Sequence, residues 1–157
     1  MTDIEIKYDD DLRTTAIHLK SGSVITTDAP IDNRGKGEQF SPTDLFATAL
    51  GSCMLTIMGI TADTHGFKIN GCKMKINKVM GISPRRVSHI KLVIDIPGNL
   101  SDKHKELLIK AAHHCPVSKS IHESIEELSL IHISEPTRPE RIGVSGVGGE
   151  KKRGGGG

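Results

Sequence analysis

The sequence has no tryptophan, one tyrosine and three phenylalanines among its 157 residues. Proteins that stack on nucleobases or sugars need such rings, so their scarcity argues against that kind of binding. Cysteine is equally scarce. The three cysteines are an odd number, which argues against the disulfide framework of a secreted domain. In a reducing cytosol, cysteines are expected to be buried, metal-bound or reactive.

Long apolar runs are also lacking. The first eight residues carry Asp3, Glu5 and Lys7 and show no apolar segment typical of a signal peptide. No apolar stretch approaches the roughly 20 residues that a membrane-spanning helix needs. These absences predict a cytoplasmic protein with no membrane partner. The length of the chain predicts a single domain.

The composition changes sharply after Glu127. The chain ends in GVGGEKKRGGGG, a basic, glycine-rich string that cannot bury a core. Before it stands LSLIHISEPTR, from Leu128 to Arg138, which resembles the translation of a sequencing-library adapter. We therefore predict a C-terminally truncated domain over residues 1–127 and an artefactual or disordered tail over residues 128–157.

The predicted tail carries the whole net charge. The chain has a formal charge of +2, but five basic and three acidic residues lie in the tail, and sixteen of each sign remain without it. The basic balance therefore does not indicate a nucleic-acid partner. Because Leu128, Leu130 and His132 alternate as in a strand, we expect that segment to be either paired or loose. We expect no packed structure beyond Ser134.

Apolar periodicity before the tail alternates between strand and helix patterns. The pattern predicts strands at residues 3–8, 13–20, 23–27, 67–79 and 87–96, and helices that begin at Ser41, Ser101 and Cys115. Ser41 and Asp44 form a capping signature for a helix to about Asp63, and its broad apolar face indicates a central position. A change of parity at Gly71 suggests a β-bulge. This order of elements indicates an α+β fold.

Two of the three cysteines have unusual positions. Cys115 precedes Pro116, so it is predicted to cap the last helix, where unpaired N–H groups and the helix dipole would stabilise a thiolate. Cys53 lies deep in the long apolar helix and fits a small core residue. To be a nucleophile, it needs a cation from elsewhere in the fold. Cys72 lies among apolar residues and is predicted to be core.

A metal site is an alternative interpretation of the second cysteine region. His113, His114, Cys115 and His122 are close in sequence, but no Cys-x-x-Cys or His-x-x-x-His spacing is present. Adjacent histidines on a helix point about 100° apart and rarely share one ion. We therefore predict no resident metal or cofactor.

Two strings resemble the motifs of one known family. FSPTDLFATALGSCMLTIMGI, from Phe40 to Ile60, resembles the central helix of the OsmC/Ohr family of thiol peroxidases. HHCPVSKSIH, from His113 to His122, resembles the second cysteine motif of the same family. The resemblance covers about residues 3–127. It implies an α+β fold in which antiparallel sheets wrap around a long central helix, assembled as an intertwined homodimer.

The resemblance also implies a redox cycle. Cys53 would attack the O–O bond of a hydroperoxide and become a sulfenic acid. Cys115 would then close a disulfide with Cys53, and an external dithiol, which is lipoyl-linked in some members, would reopen it. A neutral body and the apolar Met54, Ile57 and Met58 near Cys53 favour uncharged organic peroxides.

The family stabilises its thiolate with an arginine that an acidic residue holds in place. Arg13, in the early hairpin, is the candidate for this arginine, and Arg34 is the reserve. Glu38 and Asp44 are the candidates for the acid. The hydroperoxide-specialised branch carries a glutamate where this chain has Thr43, so the resemblance points to a different, OsmC-like branch.

Three functions compete at this point. The first is a two-cysteine peroxidase with a hydroperoxide substrate and an external dithiol reductant. The second is a noncatalytic OsmC-like dimer that binds a small apolar ligand or a partner, or takes part in a stress response, with its cysteines in the core. The third is a metal-binding stress protein that uses Cys115 and the histidines.

Overall fold

The first three strands form a sheet of their own in the computed structural model, which describes residues 3–134. This sheet has three antiparallel strands in chain order: β1 (Ile4–Asp10), β2 (Arg13–His18) and β3 (Val24–Asp28). Ile6, Ala16 and Ile25 stand opposite one another across the strands. Directly opposed residues share a face, so the alternating apolar residues of β1 lie on one side of the sheet.

The apolar side of this first sheet is exposed. Ile4, Ile6, Tyr8 and Ile25 are between 48% and 68% accessible, so most of this face lacks a covering layer among residues 3–134. A backbone bridge joins the sheet to the segment before the long helix, where the Asp28 N–H donates to the Phe40 carbonyl at 3.1 Å. Within the part of the chain that the structure describes, the first sheet therefore meets the other elements mainly at one corner.

Helix α1 (Pro42–Thr64) begins as its sequence predicts. The Asp44 N–H donates to Ser41 Oγ at 3.0 Å, and the Ser41 N–H donates to the Asp44 carboxylate at 3.0 Å. This reciprocal capping box satisfies two backbone donors that have no partner inside the helix. Pro42 suits the first helical position because an N–H there would have no intrahelical partner.

Helix α1 is more apolar than expected. An 18-residue window of this helix has a mean hydropathy of 1.7, and by length and composition the helix is long and apolar enough to cross a membrane. This finding corrects the expectation that no stretch reaches that length. The buried side of the helix nevertheless packs as a core helix does, through Leu50, Met54 and Met58. Its other side leaves Phe46 and Ile60 exposed.

The second sheet combines antiparallel and parallel pairing. Its strands are, in order, β4 (Lys73–Gly81), β5 (Arg86–Pro97) and β6 (Glu126–Ser134). β4 and β5 are antiparallel, as expected, whereas β5 and β6 are parallel. The parallel pair arises because the chain returns through α2 (Asp102–Ala112) and α3 (Pro116–Ser120), and parallel strands need such a crossover.

β5 supplies the centre of the core. Ile90, Leu92, Ile94 and Ile96 share one side of the strand and are at most 1% accessible. They pack against the buried side of α1 and against Leu108 of α2. The predicted apolar face of this strand and the α+β fold class are thus confirmed.

The predicted strand over residues 67–79 begins later than expected. β4 starts at Lys73, and the residues before it form a turn in which the Cys72 N–H donates to the Ile69 carbonyl at 3.1 Å. Gly71 has a φ of 81°, so the parity change at this glycine marks a turn and not a bulge. The register shift in the β4–β5 pair lies instead between Val79 and Met80.

β6 runs across the predicted end of the domain at residue 127. It pairs with β5 from Glu126, opposite His89, to Ser134, opposite Pro97. The segment that was expected to be either paired or loose is therefore paired. The rest of the predicted tail, beyond Ser134, lies outside the described residues. The division into a domain over 1–127 and a tail over 128–157 stays a prediction.

Candidate active site

Cys53 and Cys115 come together where α1 meets α3. Cys115 is fully buried, and the half-buried Cys53 packs against the core cluster that contains it. The Cys53 thiol is close enough to Cys115 to affect its pKa, and both thiols are free. The fold therefore joins the two cysteines that the family resemblance paired.

Cys115 caps α3, as predicted. Its Sγ accepts the Ser118 N–H at 3.3 Å. The expected stabilisation of the thiolate does not prevail, however, because burial raises the pKa of Cys115 and outweighs this hydrogen bond. The Cys53 thiol and the Glu127 carboxylate raise the pKa further. α3 has only five residues, so its dipole gives little compensation.

A hydrogen bond between side chains joins the first turn of α3 to β6. The Ser118 hydroxyl donates to the Glu127 carboxylate, at 2.9 Å to one oxygen and 3.0 Å to the other. Glu127 did not stand out in the sequence, because only the return of the chain along β5 brings β6 beside this turn. The histidines beside Cys115 make their hydrogen bonds elsewhere. His114 Nδ1 lies 2.7 Å from the Lys110 carbonyl oxygen.

A second cluster surrounds Arg13. Its guanidinium donates to both carboxylate oxygens of Asp28, from Nε at 2.6 Å and from Nη2 at 2.8 Å. Nη2 also donates to Glu38 at 2.8 Å. Asp28 is only 1% accessible, and the Glu38 N–H donates to it at 3.0 Å. Glu38, one of the two predicted acids, therefore contacts Arg13.

Charge pairing shifts the pKa values in this cluster in opposite directions. The hydrogen bond from Arg13 lowers the pKa of Asp28 despite the opposing effect of burial. The bonds to Asp28 and then Glu38 raise the pKa of Arg13 above its already high ordinary value. Asp28 was missed in the sequence, although it stands directly opposite Arg13 once β2 and β3 are paired.

The arginine cluster and the cysteine pair are separate within one chain. Among residues 3–134, Arg13 bonds to Asp28 and Glu38 and makes no hydrogen bond or ion pair with Cys53. Glu38 lies three residues before Ser41, the N-cap of α1, whereas Cys53 lies about 18 Å along the helix axis from Ser41, at about 1.5 Å per residue.

The other predicted site residues lie elsewhere. Asp44, besides capping α1, pairs with Lys78 at 2.8 Å, and these contacts lower its pKa although burial acts in the opposite direction. It does not contact Arg13. Arg34, the reserve cation, is exposed at a left-handed position with a φ of 67°. Cys72 is half-buried against the core, and burial raises its pKa.

An open cavity lies beside the first half of α1. Its volume is about 350 Å³, and its lining includes Phe40, Asp44, Ile76 and Lys78. Neither cysteine lines it. Met54 and Met58, which were expected to favour apolar peroxides, are fully buried in the core and so do not form an accessible wall. Within residues 3–134, no group of three or more histidine, cysteine or acidic side chains is arranged to hold a metal ion.

Comparison with solved structures defines the class of fold. A protein from Psychrobacter arcticus 273-4, provisionally described as an osmotic stress induced and detoxification response protein, is 50% identical, with a TM-score of 0.82. The match covers 84% of this chain and 96% of that one. An organic hydroperoxide resistance protein OsmC from Legionella pneumophila matches at 16% identity and a TM-score of 0.68, over 84% and 98% of the two chains.

A further structure shares the fold. It is an organic hydroperoxide resistance protein from Elizabethkingia anophelis, which is 16% identical, with a TM-score of 0.68 over 85% of this chain and 98% of that chain. The sequence model of the family described as OsmC-like protein matches residues 35–127. The chain therefore belongs to the OsmC-like family, and the resemblance seen in the sequence is confirmed. No curated protein matches the chain significantly.

Proposed function

We propose that this protein is a two-cysteine peroxidase that reduces organic hydroperoxides. The observation that carries the proposal is the contact between the Cys53 and Cys115 thiols, since a peroxidatic and a resolving cysteine must be able to bond to each other. Family membership supports the same chemistry, because two proteins of this fold are described as organic hydroperoxide resistance proteins.

The proposed cycle begins at Cys53, the more accessible of the two thiols. Its thiolate attacks one peroxide oxygen, the O–O bond breaks, and the departing alkoxide takes up a proton to give an alcohol. Cys53 is left as a sulfenic acid. Cys115 then attacks that sulfur, a disulfide forms, and the hydroxyl group leaves as water.

The cycle closes when an external dithiol, such as a lipoyl-linked carrier, reduces the disulfide by thiol–disulfide exchange. Because the reducing cytosol supplies such dithiols, the proposal includes a cytoplasmic location. No resident cofactor is needed, because both electrons for the peroxide come from the two cysteines.

The proposal also requires a homodimer. Arg13 contacts Glu38 before the start of α1, whereas Cys53 lies about 18 Å along the helix axis from Ser41, so the activating guanidinium would come from the second copy. The exposed apolar side of the first sheet and the exposed side of α1 are two surfaces that a second copy would cover. In this arrangement Asp28 and Glu38 hold Arg13 in a fixed orientation, and Arg13 stabilises the Cys53 thiolate.

The direct test is one equivalent of an organic hydroperoxide added to the fully reduced protein. We expect rapid loss of two hydrogens from the intact mass, with a Cys53–Cys115 disulfide in the peptide map. Cys53→Ser abolishes this change, and Cys72→Ser, the matched control, leaves it intact. If both thiols stay free in a folded dimer, the protein is instead a noncatalytic, ligand-binding member of the family.

A further inference from the structure

The turn that carries Cys115 is fixed by a two-bond connection to β6. The Ser118 hydroxyl shares its one proton between the two Glu127 carboxylate oxygens, at 2.9 and 3.0 Å, and the Ser118 N–H donates to Cys115 Sγ at 3.3 Å. One residue therefore contacts the sulfur through its backbone and the carboxylate through its side chain. The connection joins the cysteine to a strand that lies about ten residues further along the chain.

We propose that Glu127 is a positioning residue for the second step of the peroxidase cycle, acting on Cys115 through Ser118. The inference rests on the proposed function, because it concerns how Cys115 resolves the Cys53 sulfenic acid. By holding Ser118, Glu127 keeps the first turn of α3 closed and Cys115 Sγ against Cys53. Its negative charge adds to the burial that keeps Cys115 a neutral thiol while Cys53 is reduced.

The charge has a chemical consequence for the order of the steps. Only a thiolate attacks peroxide at a useful rate, so a neutral Cys115 leaves that reaction to Cys53. When Cys53 has become a sulfenic acid, the Cys115 sulfur attacks it, the S–S bond forms and the S–O bond breaks. The thiol proton leaves with the hydroxyl group as water, Cys115 is oxidised, and the Cys53 sulfur is reduced.

The groups that face Cys115 come from three elements. α1 contributes the Cys53 thiol, β6 contributes Glu127, and α3 contributes the Ser118 N–H. Burial is the largest cause of the raised pKa of Cys115, and the carboxylate adds to it. The nearby histidines of the α2 end are engaged elsewhere: His113 lies 3.5 Å from the Ser129 hydroxyl, and His114 faces the Lys110 carbonyl.

The first experiment needs no peroxide. In a Cys53→Ser, Cys72→Ser background, Cys115 is the single thiol, and its alkylation is followed against pH. Glu127→Gln keeps an oxygen for the Ser118 hydroxyl but removes the charge, so we expect the pH profile to move down and alkylation at pH 8 to be roughly three-fold faster. Glu126→Gln, the same change on the neighbouring exposed residue, serves as the matched control and leaves the profile in place.

The second experiment follows the two oxidation steps separately by rapid quench and mass spectrometry. Ser118→Ala and Glu127→Ala both break the connection, so we expect the rate of disulfide closure relative to sulfenic acid formation to fall about ten-fold. Excess peroxide then accumulates Cys53 sulfinic acid. Glu127→Gln retains placement and keeps most of the closure rate, which separates the positioning effect from the charge effect.

The outcomes distinguish this inference from the function it rests on. If the parent protein never forms a sulfenic acid at Cys53, the proposed function fails, while the alkylation profile still reports whether Glu127 acts on Cys115. If folded Glu127→Ala and Ser118→Ala close the disulfide as fast as the parent, and Glu127→Gln leaves the alkylation profile unmoved, Glu127 has no positioning role.

Discussion

The partners of Arg13 could be predicted from the sequence only in part. The family resemblance pointed to this arginine, and Glu38 was among its predicted partners. Asp28 was not, because an aspartate at the end of a short strand has no distinguishing sequence pattern. Its pairing with Arg13 depends on the register between β2 and β3, which places the two residues opposite each other. Asp44 was the other predicted acid, but its capping bonds and its pairing with Lys78 engage it at the start of α1.

The pairing of Asp28 with Arg13 predicts a stability change with pH. The hydrogen bond from Arg13 lowers the pKa of Asp28 in the folded state. Its stabilising contribution is therefore complete above the unfolded pKa of about 4 and is lost as the pH falls through the lower folded pKa. We expect Asp28→Asn to lower the free energy of unfolding at pH 7, and the difference from the parent to shrink steadily below about pH 4.

Urea titrations at several pH values measure that difference. The matched control is Asp63→Asn, which removes an exposed carboxylate 3.5 Å from Lys68 and should change stability little, since exposed ion pairs contribute little. A difference for Asp28→Asn that stays constant down to pH 2 would show that the ion pair is not the source of its effect.

Among the elements, the segment between β3 and α1 determines where Glu38 lies. The segment folds back on itself, with the Gly35 N–H donating to the Pro30 carbonyl at 2.9 Å and the Gly37 N–H to the Ala29 carbonyl at 3.2 Å. Glu38 follows directly and reaches Arg13. Glycines and a proline in this segment indicate a loop without giving its path, so the sequence alone does not place Glu38.

Gly35 has no room for a side chain. A Cβ at this position would lie 1.8 Å from the Ala29 carbonyl oxygen, which is backbone and cannot move aside cheaply. We expect Gly35→Ala to lower the free energy of unfolding by about 2 to 3 kcal/mol, measured by urea denaturation. Gly81→Ala is the control, because its Cβ would meet only ordinary contacts, the nearest at 3.5 Å, and should change stability by less than about 1 kcal/mol.

A double-mutant cycle shows whether the loop acts through Glu38. If Gly35→Ala moves Glu38 away from Arg13, then Glu38→Ala costs less stability in the Gly35→Ala background than in the parent. Additive effects would mean that another part of the loop moves to relieve the clash and that Glu38 stays in contact with Arg13.

Elements with strong local signals were the easiest to predict. The capping box of α1 and the alternation of β5 depend on neighbouring residues, and the structure has both where they were expected. The start of β4 and the pairing of β6 depend on contacts between distant segments. The turn at Gly71 and the parallel partner of β6 were therefore not readable from periodicity alone.

At the scale of the whole molecule, residues 3–134 of a single chain leave two apolar surfaces exposed and keep Arg13 apart from Cys53. Ile4, Ile6 and Tyr8 of the first sheet and Ile60 of α1 are all more than half exposed. Arg13 and its acids lie at one end of α1, away from Cys53. The twofold dimer that we propose would account for both features, because a second copy would cover the surfaces and bring its own Arg13 to Cys53.

This arrangement predicts complementation between two inactive variants. Arg13→Ala lacks the activating guanidinium, and Cys53→Ser lacks the nucleophile, so each homodimer should lose peroxidase activity. When the two variants are unfolded together and refolded in equal amounts, half of the dimers contain one chain of each. Each of those has one complete site, made of Cys53 from the first chain and Arg13 from the second, so we expect about a quarter of the parent activity.

The control is a mixture in which both changes are carried by the same chain and the other chain is unaltered. If Arg13 acts across the interface, a mixed dimer of that kind has no complete site, because each site lacks either its cysteine or its arginine, and only the unaltered homodimers contribute. If Arg13 acts within its own chain, the result reverses: the first mixture stays inactive, and the mixed dimers of the second keep one working site. The pair of mixtures thus assigns Arg13 to its own chain or to the partner by activity alone.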